Sequence, residues 1–313
     1  MSIASETPTQ PLIGGRYELG ASIGLGGSAE VYRATDRTLR RPVAVKMLRD
    51  DAASVQRAAR FEQETSLHAG LQHPNLIPLL DAGLDRGRRY LVMPLIRGTT
   101  LADRIAAAPL TGHEAQGVGA ALASALDCVH AHEVVHRDVK PSNVLLGLDG
   151  QVFLADFGIA SRHGDDQTAT PHFSLTGTAA YLAPEQLESG TIGYPGDVYA
   201  LGLVLLEALT GVRAYRGPLI EQALARLWRQ PEIPASLGAG WSAVLGAMTD
   251  RDPARRPQPH LVAEALSGPG GPAPSALFLP PGPTAAAPSR QVTMTPRDSR
   301  PRIRPRRWRR TAT

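Results

Sequence analysis

The chain of 313 residues is 42% hydrophobic and 5% aromatic, long enough for one large domain or two modest lobes with a real core. Nine arginines and one aspartate put +8 on residues 290–313 and leave −4 on residues 1–289, so the net +4 says nothing about the body of the protein. A single cysteine, Cys128, excludes an internal disulfide, fits a reducing compartment and reads as a small buried apolar residue.

Residues 1–15 lack the apolar core of a signal peptide and any periodicity, and read as a polar, flexible leader. Short strand-type runs follow: "YELGASIG" from Tyr17, "EVYRATD" from Glu30, "VAVKML" from Val43 and "RYLVMP" from Arg89. One helical stretch, "SVQRAARFEQETSLHAGL", interrupts them, and several strands around a single helix predict a small α+β lobe. After "IRGTT" the texture turns helical, in "TLADRIAAA", "EAQGVGAALASALDCVHAH", "DVYALGLVLLEALTG" and "EQALARLWRQ", which predicts a larger, mostly helical lobe reaching about Leu266. The run "VYALGLVLLEALTG" contains Glu207 and is too short to span a bilayer, so it reads as a buried helix. From Ser267 the chain becomes rich in Pro, Gly and Ala, the composition of a linker or disordered segment. No internal repeat is visible.

Chemistry concentrates in four places. In "IGLGGSAEVYRA", Gly24 and Gly26 lie between two strand-like runs, where backbone N–H groups can close over an anion because no Cβ blocks the approach. A glycine-rich hairpin without a ligand explains the same residues, and no Walker pattern follows. In "VAVKML", Lys46 interrupts an apolar strand in which Val43 and Val45 share one side. Its ammonium needs an anion, either a bound phosphate or a carboxylate on the next helix, where Glu64 shares a face with Phe61 and Leu67. An exposed edge-strand lysine is the other reading. The stretch "HRDVKPSN", His136–Asn143, offers no apolar face and reads as a polar loop between buried segments. Asp138 can take or orient a hydroxyl proton, and Lys140 is a point charge suited to a phosphoryl group. Asn143 and Asp156, the latter in "LADFGIA", supply hard oxygens suited to Mg²⁺. Each residue alone reads as a structural loop position; the ordered set does not.

"GLGGSAEV", "VAVK", the helix glutamate, "HRDVKPSN", "DFG", "APE" and "DVYALG" occur in the order and spacing of the protein kinase motifs. Over residues 17–266 the chain resembles the eukaryotic-like serine/threonine protein kinases of bacteria. The resemblance implies a bilobal α+β fold: a kinase domain over 16–267 with the small lobe at about 16–96 and the helical lobe at about 97–267, then a linker and basic tail over 268–313. It implies ATP and Mg²⁺, with Mn²⁺ as the alternative ion, as cofactors. By that resemblance Ile23, Gly24, Leu25, Gly26, Gly27 and Ser28 close over ATP, with the glycines on the phosphates. Val31 packs on the adenine and Ala44 joins the ATP site. Lys46 binds the α/β-phosphates while paired with Glu64. Asp138 is the base, Lys140 neutralises the γ-phosphate, and Asn143 and Asp156 hold the metal. Met93 is the gatekeeper, with the Pro94 carbonyl and the Ile96 N–H at the hinge.

Lys140 and "GTAAYLAPEQ", in which Thr178 fits the position beside the substrate hydroxyl, resemble the serine/threonine branch. Glu185 resembles the ion-pair partner of Arg256, Asp197 the carboxylate that braces the loop, and His136 the anchor of that loop. Two departures stand out: Ala29 replaces the third glycine, and Pro94 brings a hinge position without an N–H. Neither removes a chemical group, so an active enzyme is the first reading, ahead of a nucleotide-binding scaffold and a small-metabolite kinase. Between Asp156 and Glu185 the chain is rich in hydroxyls. Thr168 or Thr170, then Ser174 or Thr176, are candidate autophosphorylation sites, with Arg137 as the charge partner. Self-association for phosphorylation in trans belongs to the same expectation. The tail from Arg290, with Thr293 and Thr295 as lesser sites and Trp308 at headgroup level, reads either as a contact to an anionic membrane surface or as a solvated extension. Nucleic acid ranks behind both. The expected location is cytoplasmic, with the tail at the inner face of the membrane and no transmembrane helix in the chain.

Overall fold

Five antiparallel strands form the first sheet, in the order β1-β2-β3-β5-β4: β1 Tyr17–Leu25, β2 Ala29–Asp36, β3 Arg41–Leu48, β4 Asp81–Asp85 and β5 Arg88–Pro94. They come from a computed structural model that describes residues 12–26, 29–49, 55–156, 178–268 and 271–272, all within one folded unit, Met1–Phe278. Residues directly opposite on paired strands share a face. Val31 pairs with Lys46 and Lys46 with Leu91, while Ala44 pairs with Met93, so these five line one face. Val43, Val45 and Met47 point to the other face and build a small core with Tyr17, Ala34, Tyr90 and Val92. The alternation in "VAVKML" thus sends Val43, Val45 and Met47 into this core and Lys46 to the opposite face. Helix α1, Val55–Gly70, follows β3.

The rest of the unit is mostly helical. A three-stranded sheet, β6 Gly98–Thr100, β7 Val144–Gly147 and β8 Val152–Leu154, lies beside α2 Leu101–Ala107 and α3 Gly112–Ala131. Thr111 opens α3 through a capping box with Glu114, which satisfies two of the N–H donors left unpaired at a helix start. Then come α4 Pro184–Glu188, α5 Tyr194–Thr210, α6 Leu219–Trp228, α7 Gly238–Met248 and α8 Pro259–Leu266. Helix α5 is buried almost all round, from Gly196 to Leu206, which makes it the axis of this lobe. It stops at Gly211, whose φ of 72° suits a residue without a Cβ. At Gly119 a Cβ would stand 2.6 Å from Leu266 Cδ1 and 3.0 Å from Leu205 Cδ1, so these two leucine side chains rest on the space that the glycine leaves on α3.

The two-lobed α+β architecture agrees with the expectation from sequence. Three details differ. Pattern alone does not separate strands β4, β6, β7 and β8 or helices α4, α7 and α8; the strands are three to five residues long, and α7 carries three glycines. Helix α6 begins at Leu219, two residues before the periodic run. Cys128 is half-buried rather than buried, because it stands at the margin of the α3 face that packs on the core. No helix among the described residues is long and apolar enough to cross a membrane.

Candidate active site

The face of the first sheet that carries Lys46 opens toward Asp156. Lys46 Nζ stands 2.6 Å from Asp156 Oδ1, with the two side chains 16% and 32% exposed. A charge pair this accessible is reachable by a ligand, which a fully buried pair is not. Asp156 adopts φ 54°, a left-handed backbone that non-glycine residues hold only when their surroundings dictate it. Its neighbour is pinned: the Ala155 N–H donates to the Asn143 carbonyl at 2.8 Å.

The loop His136–Asn143 is built around two carboxylates. Asp197, buried on α5, accepts the His136 N–H on Oδ2 and the Arg137 N–H on Oδ1, both at 2.8 Å. His130 Nε2 lies 2.8 Å from Asp197 Oδ2. Arg137 has φ 68°, a left-handed backbone immediately before Asp138. His136 is fully buried, and desolvation pushes its imidazole below its ordinary pKa, toward the neutral form. Its Nδ1 accepts the Asp138 N–H at 3.3 Å.

Asp138 is the second carboxylate. Its Oδ2 accepts from Lys140 Nζ at 2.7 Å and from Asn143 Nδ2 at 2.8 Å, and Asn143 Nδ2 also reaches the Asp138 carbonyl at 2.8 Å. Its Oδ1 is buried and has no hydrogen-bond partner among the described residues. One oxygen is therefore fixed and charge-compensated, while the other keeps its lone pairs for a further donor. Asn143 spends its amide nitrogen on Asp138, which leaves its carbonyl oxygen as a hard donor.

Beyond Asp138 lies the segment Thr178–Glu185, a 3-10 turn over Thr178–Tyr181 followed by the start of α4. Glu185 and Arg256 meet in a two-pronged pair, Nη1 to Oε1 at 2.7 Å and Nη2 to Oε2 at 2.8 Å, with the Arg256 side chain fully buried. Arg256 also donates to the Asp250 carbonyl at 2.8 Å and the Pro195 carbonyl at 3.0 Å, and lies 4.8 Å from the Tyr199 ring centre. The Tyr181 hydroxyl donates to Glu207 Oε2 at 2.6 Å, and burial pushes that phenol far above its ordinary pKa.

The structure brings together Lys46 with Asp156 and Asp138 with Lys140 and Asn143; it likewise joins Asp197 to the His136 and Arg137 amides, and Glu185 to Arg256. Val31, Ala44 and Met93 share the Lys46 face, and Ile23, Gly24 and Leu25 end β1, with Ile23 and Leu25 exposed. The Gly26 N–H donates to the Ala29 carbonyl at 2.9 Å, closing the turn between β1 and β2. Pro94 ends β5 and Ile96 follows it, both half-buried. Gly27, Ser28, Thr168, Thr170, Ser174 and Thr176 lie outside the described residues, as do the side chains of Glu64 and Thr178. The partner that Lys46 shows is thus Asp156. Sequence reasoning missed His130, Leu91, Tyr181 and Tyr199; only Leu91 left a signal, two residues before Met93 on the same strand face.

For a divalent ion, Asn143 and Asp156 offer oxygen donors on adjoining loops. Among the described residues no group of three or more His, Cys, Asp or Glu gathers as a cage, and Mg²⁺ needs none, since one or two protein oxygens plus phosphate oxygens and water complete its shell. The donor set fits that ion.

Residues 17–265 match the protein kinase domain family. A probable serine/threonine-protein kinase of Clostridium perfringens is 36% identical over 258 residues, covering 79% of this chain and 37% of that protein. The serine/threonine-protein kinase PrkC of Bacillus subtilis is 39% identical over 227 residues, 72% of this chain and 35% of PrkC. PknB of Mycobacterium tuberculosis, a serine/threonine-protein kinase, is 36% identical over 251 residues, 78% of this chain and 40% of PknB. The chain spans less than half the length of these relatives.

Proposed function

The chain belongs to the protein kinase domain family, and from that premise we propose that it is a serine/threonine protein kinase using ATP. The observation that carries this reading is the asymmetry of Asp138, with Oδ2 held by Lys140 and Asn143 and Oδ1 buried without a hydrogen-bond partner among the described residues. A substrate hydroxyl at Oδ1 gives its proton to the carboxylate while its oxygen bonds to the γ-phosphorus. The bond from that phosphorus to the β–γ bridging oxygen breaks, and ADP leaves. Lys140 compensates the charge of the moving group. Lys46 serves the α/β-phosphates, and the residues from Ile23 to Ser28, with Val31, Ala44, Met93, Pro94 and Ile96, contribute to the nucleotide cleft. Asn143 and Asp156 hold Mg²⁺, or Mn²⁺ in its place. The ion, when bound, neutralises phosphate charge. Pairing of Lys46 with Asp156 supports the assignment, because each is the counter-charge that a phosphate and a cation would replace.

Phosphorylation of Thr168 or Thr170, and secondarily of Ser174 or Thr176, by a second copy of the chain forms part of this reading, with Arg137 as the phosphate's partner. The single cysteine supports a cytoplasmic setting, and the basic tail supports contact with the inner membrane face. The test is phosphate transfer to a generic basic protein with Mg-ATP. Asp138→Asn should lower the rate by about a hundred- to ten-thousand-fold, the range for a proton-accepting group. Equal rates in variant and wild type would overturn the assignment, as would silence in both. Intact-mass and peptide mapping after incubation with Mg-ATP checks the loop sites; no phosphate in 157–177 removes them.

A further inference from the structure

Helix α6 inverts the usual partition of side chains. Leu224 is 51% exposed and Trp228 80% exposed, while Arg226 between them is fully buried. Surface helices normally bury the leucine and the tryptophan and leave the arginine in water, and burying a guanidinium is costly unless its surroundings answer it. Arg226 is answered by specific groups. Its Nη2 donates to the Ala180 carbonyl at 2.5 Å, and its guanidinium lies 5.1 Å from the Tyr215 ring centre. The same ring receives Arg229 at 5.4 Å, and the Tyr215 hydroxyl donates to the Arg229 carbonyl at 3.1 Å.

The network continues. The Tyr215 and Tyr199 hydroxyls are 3.1 Å apart, and Arg256 lies over Tyr199 at 4.8 Å while gripping Glu185. Two buried arginines and two joined tyrosines thus hold both ends of one short segment, Ala180 at its start and Glu185 at its finish. Tyr181, inside it, is tied separately to Glu207. That segment lies against the loop bearing Asp138: Tyr181 and Leu182 line the same small cleft as Arg137, Asp138 and Val139.

We propose that Arg226 is a positioning residue for the protein substrate, fixing, through its bond to the Ala180 carbonyl and its contact with the hydroxyl-linked Tyr215–Tyr199 pair, the segment beside Asp138. The inference rests on the kinase reading for its consequence, though not for its geometry. Arg226 touches neither nucleotide nor substrate, so its effect should fall on protein-substrate recognition and spare ATP.

The full chain serves for the test, with Arg226→Leu, which removes donor and cation, and Arg226→Lys, which keeps a charge and a donor but loses the stacking plane. In Arg226→Leu the amides of residues 180–186 should exchange with deuterium about ten-fold faster while those of α3 and α5 stay as in wild type. The KM for a protein substrate should rise by about five-fold or more with kcat and the KM for ATP nearly unchanged, and Arg226→Lys should recover part of the loss. Unchanged exchange in 180–186 overturns the proposal. So does loss of protection across the whole lobe with both KM values moving together, which marks an ordinary core residue. If Arg226→Leu fails to fold, Arg226→Lys is measured by the same exchange and KM readouts, and the same results support or overturn the proposal. A wild type that transfers no phosphate sinks the kinase reading, whereas the exchange measurement still decides whether Arg226 holds the segment.

Discussion

Asp197 gathers three hydrogen bonds on two oxygens, from the His136 and Arg137 amides and from His130. The His136 amide bond is buried and the other two are part-buried. Removing the carboxylate strands all of them at once. Asp197→Ala should therefore cost about 3–5 kcal/mol, the range for deleting one partner of a buried charged network, read as a shift in the urea midpoint. Activity should fall with it, since the loop that carries Asp138 loses its brace; an unshifted midpoint would remove Asp197 from that role. Residues of this kind are partly legible in sequence. Lys46, Asp138, Asn143 and Asp156 stand out because a charge in an apolar strand, or an acid and an amide in a loop without an apolar face, has few structural explanations. Arg226 does not stand out, because within "EQALARLWRQ" its spacing is that of any solvated helix position. Only the packing of α6 on the Thr178–Tyr181 turn brings it to the Ala180 carbonyl.

Among the elements, the edge of the first sheet depends on a carboxylate that sequence patterning passes over. Asp36 ends β2 with a two-pronged hold on Arg16, Nε to Oδ1 at 2.9 Å and Nη2 to Oδ2 at 2.7 Å. Its Oδ1 also accepts the Thr38 and Leu39 N–H groups at 3.0 and 3.1 Å, shaping the turn into β3. The Arg16 bonds first, then these backbone donors, hold its pKa at about 2, below the ordinary carboxylate value. The folded state therefore binds fewer protons than the unfolded state in this range. The stabilisation is fully present above about pH 4 and is lost as pH falls toward about pH 2. Urea midpoints measured from pH 5 to pH 2 should decline over that window, and Asp36→Asn should flatten the decline; an unaltered slope would discount the interaction. The same scale explains which elements can be read in advance. Helices α3 and α5 and strands β2, β3 and β5 show long, uninterrupted patterns. Strands β6 and β8, three residues each, are too short for any period, and exist because β7 gives them a partner.

At the level of the whole molecule, the folded unit and the tail carry opposite charge, since residues 1–289 hold −4 and residues 290–313 hold +8. A segment with nine arginines and one aspartate attracts anionic surfaces, which is the basis of the proposed membrane contact. Co-sedimentation with vesicles containing phosphatidylserine should be strong for the full chain at low salt and weak after deletion of residues 290–313. It should also fade as ionic strength shortens the screening length to about 8 Å at physiological salt. Equal sedimentation of the two forms would dismiss the membrane contact. The braced loop has its own consequence at this scale. Because Asp197 sits on the central helix α5, the stretch from His136 to Asn143 takes its shape when the helical lobe condenses. The entropy of ordering it is borne once, at folding, and on the proposed function not again at each nucleotide encounter. Calorimetry of nucleotide binding should then show a heat-capacity change set by the apolar surface covered, with no added component from a loop that orders on binding.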